Sequence, residues 1–261
     1  MLAYTQKKNG KEQTIVFLHG FLGTSHDFNA LCNEMGTSFD LLLLDLPGHG
    51  RSGIKSTLDF TTLIEEIDHI LDHLRIEKAH FVGYSMGGRV LLEYAKRRSS
   101  RVQSGVVLSA HYGLSEKEHS KKILQEKKWL HLLEKGSFPK FLEKWYAQDI
   151  FSSLDLAMIT SKRAENRPDD LAFVMRALSI TNQENFLPFL KKTKTSFLFL
   201  SGSGDKKYTT LYKNLPVTIS RDILPNASHA IHIENPRACA QTVTHFIKEV
   251  SNVKHRMERL L

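Results

Sequence analysis

The stretch Gly83-Tyr84-Ser85-Met86-Gly87 sits between the apolar run Ala79–Val82 and a segment with helical periodicity. A serine flanked in this way can occupy a sharp strand-to-helix turn, its hydroxyl standing out above a sheet. Glycines at both ends keep side chains out of the turn and accept backbone angles closed to other residues. Five letters recur by chance, so the reading depends on the pattern around them.

That pattern is α/β. Short runs rich in apolar and β-branched residues alternate with helical stretches, which argues for a mostly parallel sheet flanked by helices. The strand candidates are Thr14–Leu18, Leu41–Leu44, Ala79–Gly83, Gly105–Leu108, Ser196–Leu200 and Val217–Ile223. Several lack polar alternation, as strands covered on both faces do. Lys8-Asn9-Gly10 suggests a hairpin turn joining Met1–Thr5 to Glu12–Phe17. Helical spacing places Leu63, Ile64, Ile67, Ile70, Leu71 and Leu74 on one stripe of Phe60–Leu74. Arg89–Arg97 continues from the serine turn, and Arg237–Val250 follows Pro236, a residue suited to a helix entry. Lys254–Leu261 reads as the fraying end of that last helix.

Between about residues 111 and 188 the strand-like runs vanish. Amphipathic stretches Lys121–Leu133, Phe138–Tyr146 and Asp170–Ser179 replace them, with a break at Asn166-Arg167-Pro168. The expected organisation is a sheet core built from 1–110 and 189–261, with a helical cap, 111–188, inserted between its halves.

Composition excludes several classes. The 261 residues suit one large α/β domain, and no apolar run approaches the ~20 residues of a membrane helix. The N-terminal MLAYTQKKNGKEQ has no apolar signal region, and Cys32 and Cys239 form no metal or redox spacing. A reduced, cytoplasmic setting is the simplest expectation, with no metal or organic cofactor. The formal charge of +8 fits nucleic acid, an anionic membrane, an acidic protein or an anionic small substrate. No nucleic-acid motif accompanies it. The clusters Lys121-Lys122, Lys127-Lys128 and Lys191-Lys192 are scattered, so a solvated surface fits as well as a functional field.

A serine hydroxyl becomes a competent nucleophile or base only when an imidazole takes its proton, and an acid must fix that imidazole. On a fold of this kind the acid and then the histidine follow the serine in chain order. Asp205 follows a strand candidate through Gly202-Ser203-Gly204, and His229 follows another through Asn226-Ala227-Ser228. Thirteen histidines make position decisive: His232 is three residues from His229, Asp222 lies inside an apparent strand, and Asp45 comes too early. The expected triad is therefore Ser85, Asp205 and His229. Backbone N–H groups of Met86 and of Phe21, in the His19-Gly20-Phe21 turn, are the candidate oxyanion hole. The loop Leu46-Pro47-Gly48-His49-Gly50-Arg51-Ser52 lacks the spacing of a phosphate cradle and reads as a structural turn.

Taken in order, FLHGFLG, DLPGHGRS, VGYSMGGR, SGSGDKKY and ASHAIHIENP resemble the α/β-hydrolase superfamily over essentially the whole chain. Arg89 after the serine turn, WYAQDIF in the cap and LAFVMRALSITNQENFLPFL resemble the MenH synthases of menaquinone biosynthesis. That resemblance implies an elimination: pyruvate is expelled from a succinylated enolpyruvyl cyclohexene tricarboxylate, and no water is added. Ser85 would remove a ring proton, activated by His229 and Asp205. Arg89, Arg163 and, where the family has an arginine, Lys122 would hold carboxylates, with Tyr84 and Trp145 lining the cavity. Each has a plainer structural alternative: surface residues for Arg89, Arg163 and Lys122, packing for Tyr84, Trp145 and Phe151. Lysine keeps the charge but loses the two-point grip of arginine. Asp149 stands in place of a proline and Ser228 in place of a glycine.

Three other functions share these features. A carboxylesterase would form an acyl-serine, and the basic surface would suit an acidic acyl carrier protein. A carbon–carbon hydrolase uses the same triad and cap. A binding protein would use the pocket alone.

Overall fold

The computed structural model describes residues 2–258, with side chains as far as Val253. Seven strands form one sheet: β1 Tyr4–Lys7, β2 Thr14–Leu18, β3 Asp40–Leu44, β4 Ala79–Tyr84, β5 Val102–Leu108, β6 Ser196–Gly202 and β7 Ser220–Leu224. Their spatial order is β1-β3-β2-β4-β5-β6-β7, and only β1 runs antiparallel. The central strands are buried on both faces because successive side chains feed opposite cores. Val16, Leu18, Phe81, Val107 and Phe199 point to one face, beneath helices α2 Phe60–His73 and α3 Met86–Arg97. Phe17, Leu43, Val82, Leu108 and Leu200 point to the other, against α1 Asn29–Met35 and a C-terminal helix spanning Pro236–Glu258.

The helical region falls between β5 and β6. It contains α4 Glu116–Lys135, α5 Phe138–Tyr146, α6 Leu156–Arg163, α7 Pro168–Ala177 and α8 Leu187–Lys192. Leu133, Phe141, Leu142, Tyr146, Phe151, Ile159 and Leu171 make a small core of their own, into which Leu22 from the loop after β2 is also packed. Beyond β6 lie α9 Lys206–Leu211, α10 Ile231–Glu234 and the long C-terminal helix, α11.

Three expectations need correction. The Asn9-Gly10 turn does not close a hairpin between β1 and β2, because β3 lies between them. Asp40, at the start of β3, captures the turn: its Oδ1 accepts the Asn9 and Lys11 N–H groups at 2.7 and 3.0 Å. The last strand starts at Ser220, and Val217 after Pro216 is 93% exposed. The helix expected at Lys121 begins five residues earlier, where Ser115 and Glu118 form a capping box. Of the expected fraying end, the side chains of 254–261 lie outside the described residues. Among the described residues, no helix is long and apolar enough to cross a membrane, and no group of His, Cys, Asp and Glu side chains could hold a metal ion.

Candidate active site

Ser85 is the hinge between β4 and α3, with φ +49° and ψ −107°. A non-glycine residue in that region is strained, and its neighbours have to hold it. The flanking glycines are required sterically. A Cβ on Gly83 would come within 2.5 Å of the Gly87 carbonyl oxygen, and one on Gly87 within 2.0 Å of the Leu18 oxygen. The Ser85 N–H donates to the Leu108 carbonyl at 2.9 Å, fixing the turn to β5.

Asp205 and His229 come from loops after β6 and β7. Both are buried, and His229 Nδ1 lies 2.8 Å from Asp205 Oδ2. An ionised carboxylate only accepts, so Nδ1 carries a proton, and in the neutral ring Nε2 is the nitrogen with the lone pair. The other Asp205 oxygen caps α9, accepting the Tyr208 N–H at 3.1 Å. The imidazole packs on Tyr84, adjacent to Ser85, and on Tyr208, with ring centroids 5.4 and 5.0 Å apart. A Cβ on Gly202 would collide with the Ala227 and Ser228 carbonyls, so this glycine lets the two loops meet.

The loop after β2 is fixed just as tightly. His19 Nε2 accepts the Leu46 N–H at 2.8 Å, so its Nδ1 must be the donor to the Gly20 oxygen, also at 2.8 Å. The Gly23 N–H donates to the same oxygen at 3.0 Å. Because a trans peptide is planar, anchoring the Gly20 carbonyl aims the Phe21 N–H the opposite way. Among the described residues that N–H meets no acceptor. The Met86 N–H opens α3, where it has no intrahelical partner.

Ser85, Phe21 and Met86 border a cavity of about 370 Å³ at the carboxyl ends of the strands, where open α/β sheets bind ligands; the buried Asp205 and His229 are not part of its lining. Ser85, Phe21, Met86, Arg89, Lys122 and Trp145 all line it. Burial pulls the Arg89 guanidinium down to about 10, and it donates a hydrogen bond to the Gln183 side-chain oxygen at a long 3.4 Å. Burial, with Lys207 and Arg89 nearby, lowers Lys122 to about 8. Trp145 is packed between Phe21 and Trp129, 5.2 and 5.1 Å away, and so shapes the wall.

Two expected contacts are not there. Tyr84 is outside the cavity lining, buried beneath His229 and His232. Arg163 is absent from the lining of the serine cavity and makes a two-point ion pair with Asp27 at 2.9 and 2.7 Å. It borders a separate cavity of about 1020 Å³ that contains none of Ser85, Asp205 and His229. A buried carboxylate in the loop after β2 captured the guanidinium before any ligand could.

Sequence reading also missed Lys207, His111, Glu118 and Glu126, which share the cavity. His111 lies three residues past β5 and Lys207 five residues past β6, at the start of α9, so the strand-end rule could have found them. Burial and the charge of Lys207 bring His111 down to about 4, leaving it neutral. Its Nδ1 accepts the Gly113 N–H at 3.0 Å. Chemically, the cavity offers the Ser85 side chain, two free N–H donors and a wall carrying Arg89, Lys122 and Lys207, while the buried His229–Asp205 pair packs against Tyr84, the residue before the serine.

Comparisons with known proteins agree with this architecture. The α/β-hydrolase-fold family model matches residues 13–234. The 2-succinyl-6-hydroxy-2,4-cyclohexadiene-1-carboxylate synthase of Yersinia pestis (strain Pestoides F) is 29% identical over 91% of this chain and 88% of its own length. The structure of MenH from S. aureus superposes with a TM-score of 0.87 at 27% identity, covering 95% of this chain and 98% of that one. A thermophilic esterase from Thermogutta terrifontis shares the fold at a TM-score of 0.79 and 18% identity, over 95% of this chain and 93% of that one. The chain belongs to the α/β-hydrolase-fold family.

Proposed function

We propose that this enzyme is a MenH-like lyase, expelling pyruvate from a succinylated enolpyruvyl cyclohexene tricarboxylate. The observation that carries the reading is the cavity's composition. Arg89, Lys122 and Lys207 border the same 370 Å³ as the Ser85 hydroxyl. Like charges in one low-dielectric site repel each other: burial lowers Lys122 first, and the charges of Lys207 and Arg89 lower it further. A polycarboxylate relieves it, and a neutral ester does not. Glu118 and Glu126 offset part of the charge, so the cavity discriminates by where carboxylates sit as well as by how many there are.

The chemistry follows from the arrangement. His229 Nε2 draws the proton from Ser85, and the serine oxygen takes the ring proton. The electron pair released forms the new ring double bond and breaks the ring carbon–oxygen bond, expelling enolpyruvate, which takes up the proton held on His229 and ketonises to pyruvate. Negative charge developing on the substrate's conjugated oxygen is received by the Phe21 and Met86 N–H groups. Donors fixed in advance cost no reorganisation at that moment. Asp205 holds the imidazole tautomer and steadies the transient imidazolium. The partner in this reading is an anionic small molecule. Alignment with the synthase of Yersinia pestis over most of both chains supports the reading.

The test is the oxygen balance of the reaction. In ¹⁸O-labelled water an elimination transfers no solvent oxygen to the ring product, whereas an acyl-serine hydrolysis places one in the released acid. Serine-dependent turnover of the tricarboxylate without label supports the lyase. Label in the product, or turnover of simple esters alone, replaces it with an esterase.

A further inference from the structure

The loop that presents the Phe21 N–H is held partly by the cap. Leu22, the next residue, has φ +67°, a costly conformation for a branched side chain. Its polar groups and its side chain are all engaged. The Leu22 N–H donates to His49 Nε2 at 3.1 Å, and His49 Nδ1 donates in turn to the Pro47 carbonyl at 2.8 Å. Burial brings His49 down to about 3, so this acceptor stays neutral. The Leu22 side chain is fully buried inside the cap's own core, beside Phe141, Leu142 and Tyr146. Its carbonyl accepts from Asn166 Nδ2 at 3.0 Å, 144 residues away. Asn166 is anchored at the end of α6, where its Nδ2 and backbone N–H both donate to the Arg163 carbonyl at 3.1 Å. The Arg163 guanidinium grips Asp27, whose Oδ2 also accepts the Thr24 N–H at the far side of the same loop.

We infer that Asn166 is a positioning residue for the oxyanion hole: through the Leu22 carbonyl it makes the cap hold the Phe21 N–H in its aim. The cap therefore contributes to rate as well as to substrate binding. Asn166 is not among the residues lining the serine cavity, so its loss leaves the ligand's own contacts in place. A rise in KM is therefore not the signature of its removal. The inference rests on the serine and oxyanion-hole assignment proposed above.

The experiment measures the second-order rate at which a fluorophosphonate phosphonylates Ser85, in wild type, Asn166→Ala and Asn166→Asp. In this reaction the serine oxygen forms a bond to phosphorus, fluoride leaves and His229 takes the proton. The rate reads the triad and oxyanion hole without any assumption about the natural substrate. Both variants lose the donor, and the Asp variant also sets a carboxylate against two carbonyls. Misplacing one donor predicts a rate about tenfold lower or worse in both, matched in kcat for pyruvate release, with KM within about threefold. Thermal melting confirms that the variants are folded. Folded variants that label as fast as wild type overturn the role of Asn166. A wild-type enzyme that does not label at all overturns the underlying assignment instead.

Discussion

Replacing Arg163 with Met should cost stability rather than substrate affinity. The two side chains of the Asp27–Arg163 pair are 8% and 6% exposed, and the Arg163 Nε–H also donates to the Tyr146 hydroxyl oxygen at 3.2 Å. Removing one partner of a buried pair strands the other charge, at a cost of about 3–5 kcal/mol. A chain of 261 residues loses about 2 °C of Tm per kcal/mol, so the expected fall is about 6–10 °C at neutral pH. The pH dependence gives a second signature. Burial acts to raise the Asp27 carboxyl, but the charge and hydrogen bonds of Arg163 outweigh it and hold the group below 3.8. Its contribution is thus present above the ordinary aspartate value and is lost as pH falls through the lower folded value. In Arg163→Met burial, the largest influence, is opposed only by the Thr24 N–H and the smaller effects of His232 and His19, so the shift should reverse and the charged carboxylate become a penalty above that range. The gap between the two proteins should be widest near pH 7, narrow as the variant's carboxyl protonates, and close only as pH falls below 3.8 through the wild-type value. Denaturant melts from pH 3 to 8 measure it. An unchanged Tm with a tenfold rise in KM would refute the reasoning and return Arg163 to the substrate.

Lys122 should make binding pH-dependent. It is protonated below about 8, so KM for an anionic substrate should climb between pH 7 and 9, while Arg89, near 10, keeps its charge. Lys122→Met should raise KM throughout and flatten that rise; a wild-type profile already flat across the range would contradict it. Gly87→Ala should destabilise by at least about 1–3 kcal/mol, because the added carbon meets the Leu18 carbonyl, which cannot step aside. Urea midpoints measure the loss, and a midpoint equal to wild type would show that the turn is looser than its geometry.

The sheet was legible because its strands are short, apolar and covered on both faces, so Thr14–Leu18 announces itself. The serine turn and the two loops carrying Asp205 and His229 were legible because glycine spacing and strand ends mark them locally. Pairing was less so. Asn9-Gly10 makes a turn whatever strand follows, and only the distant Asp40 decides which strand β1 joins. The substrate wall was the hardest part. Arg89 and Arg163 are both single arginines on helices, and what separates them is Asp27, more than a hundred positions from Arg163. Lys122 gave no more local signal than Lys121 beside it, although both reach the cavity.

The central claim is that Ser85 works as a base in a cavity built for carboxylates. Its most direct test follows pyruvate released from the succinylated enolpyruvyl cyclohexene tricarboxylate, with wild type and Ser85→Ala side by side and the spontaneous rate subtracted. The account predicts rapid release by wild type and a fall of at least about a thousandfold in the variant. Equal rates in the two proteins, or release no faster than background in both, would contradict it.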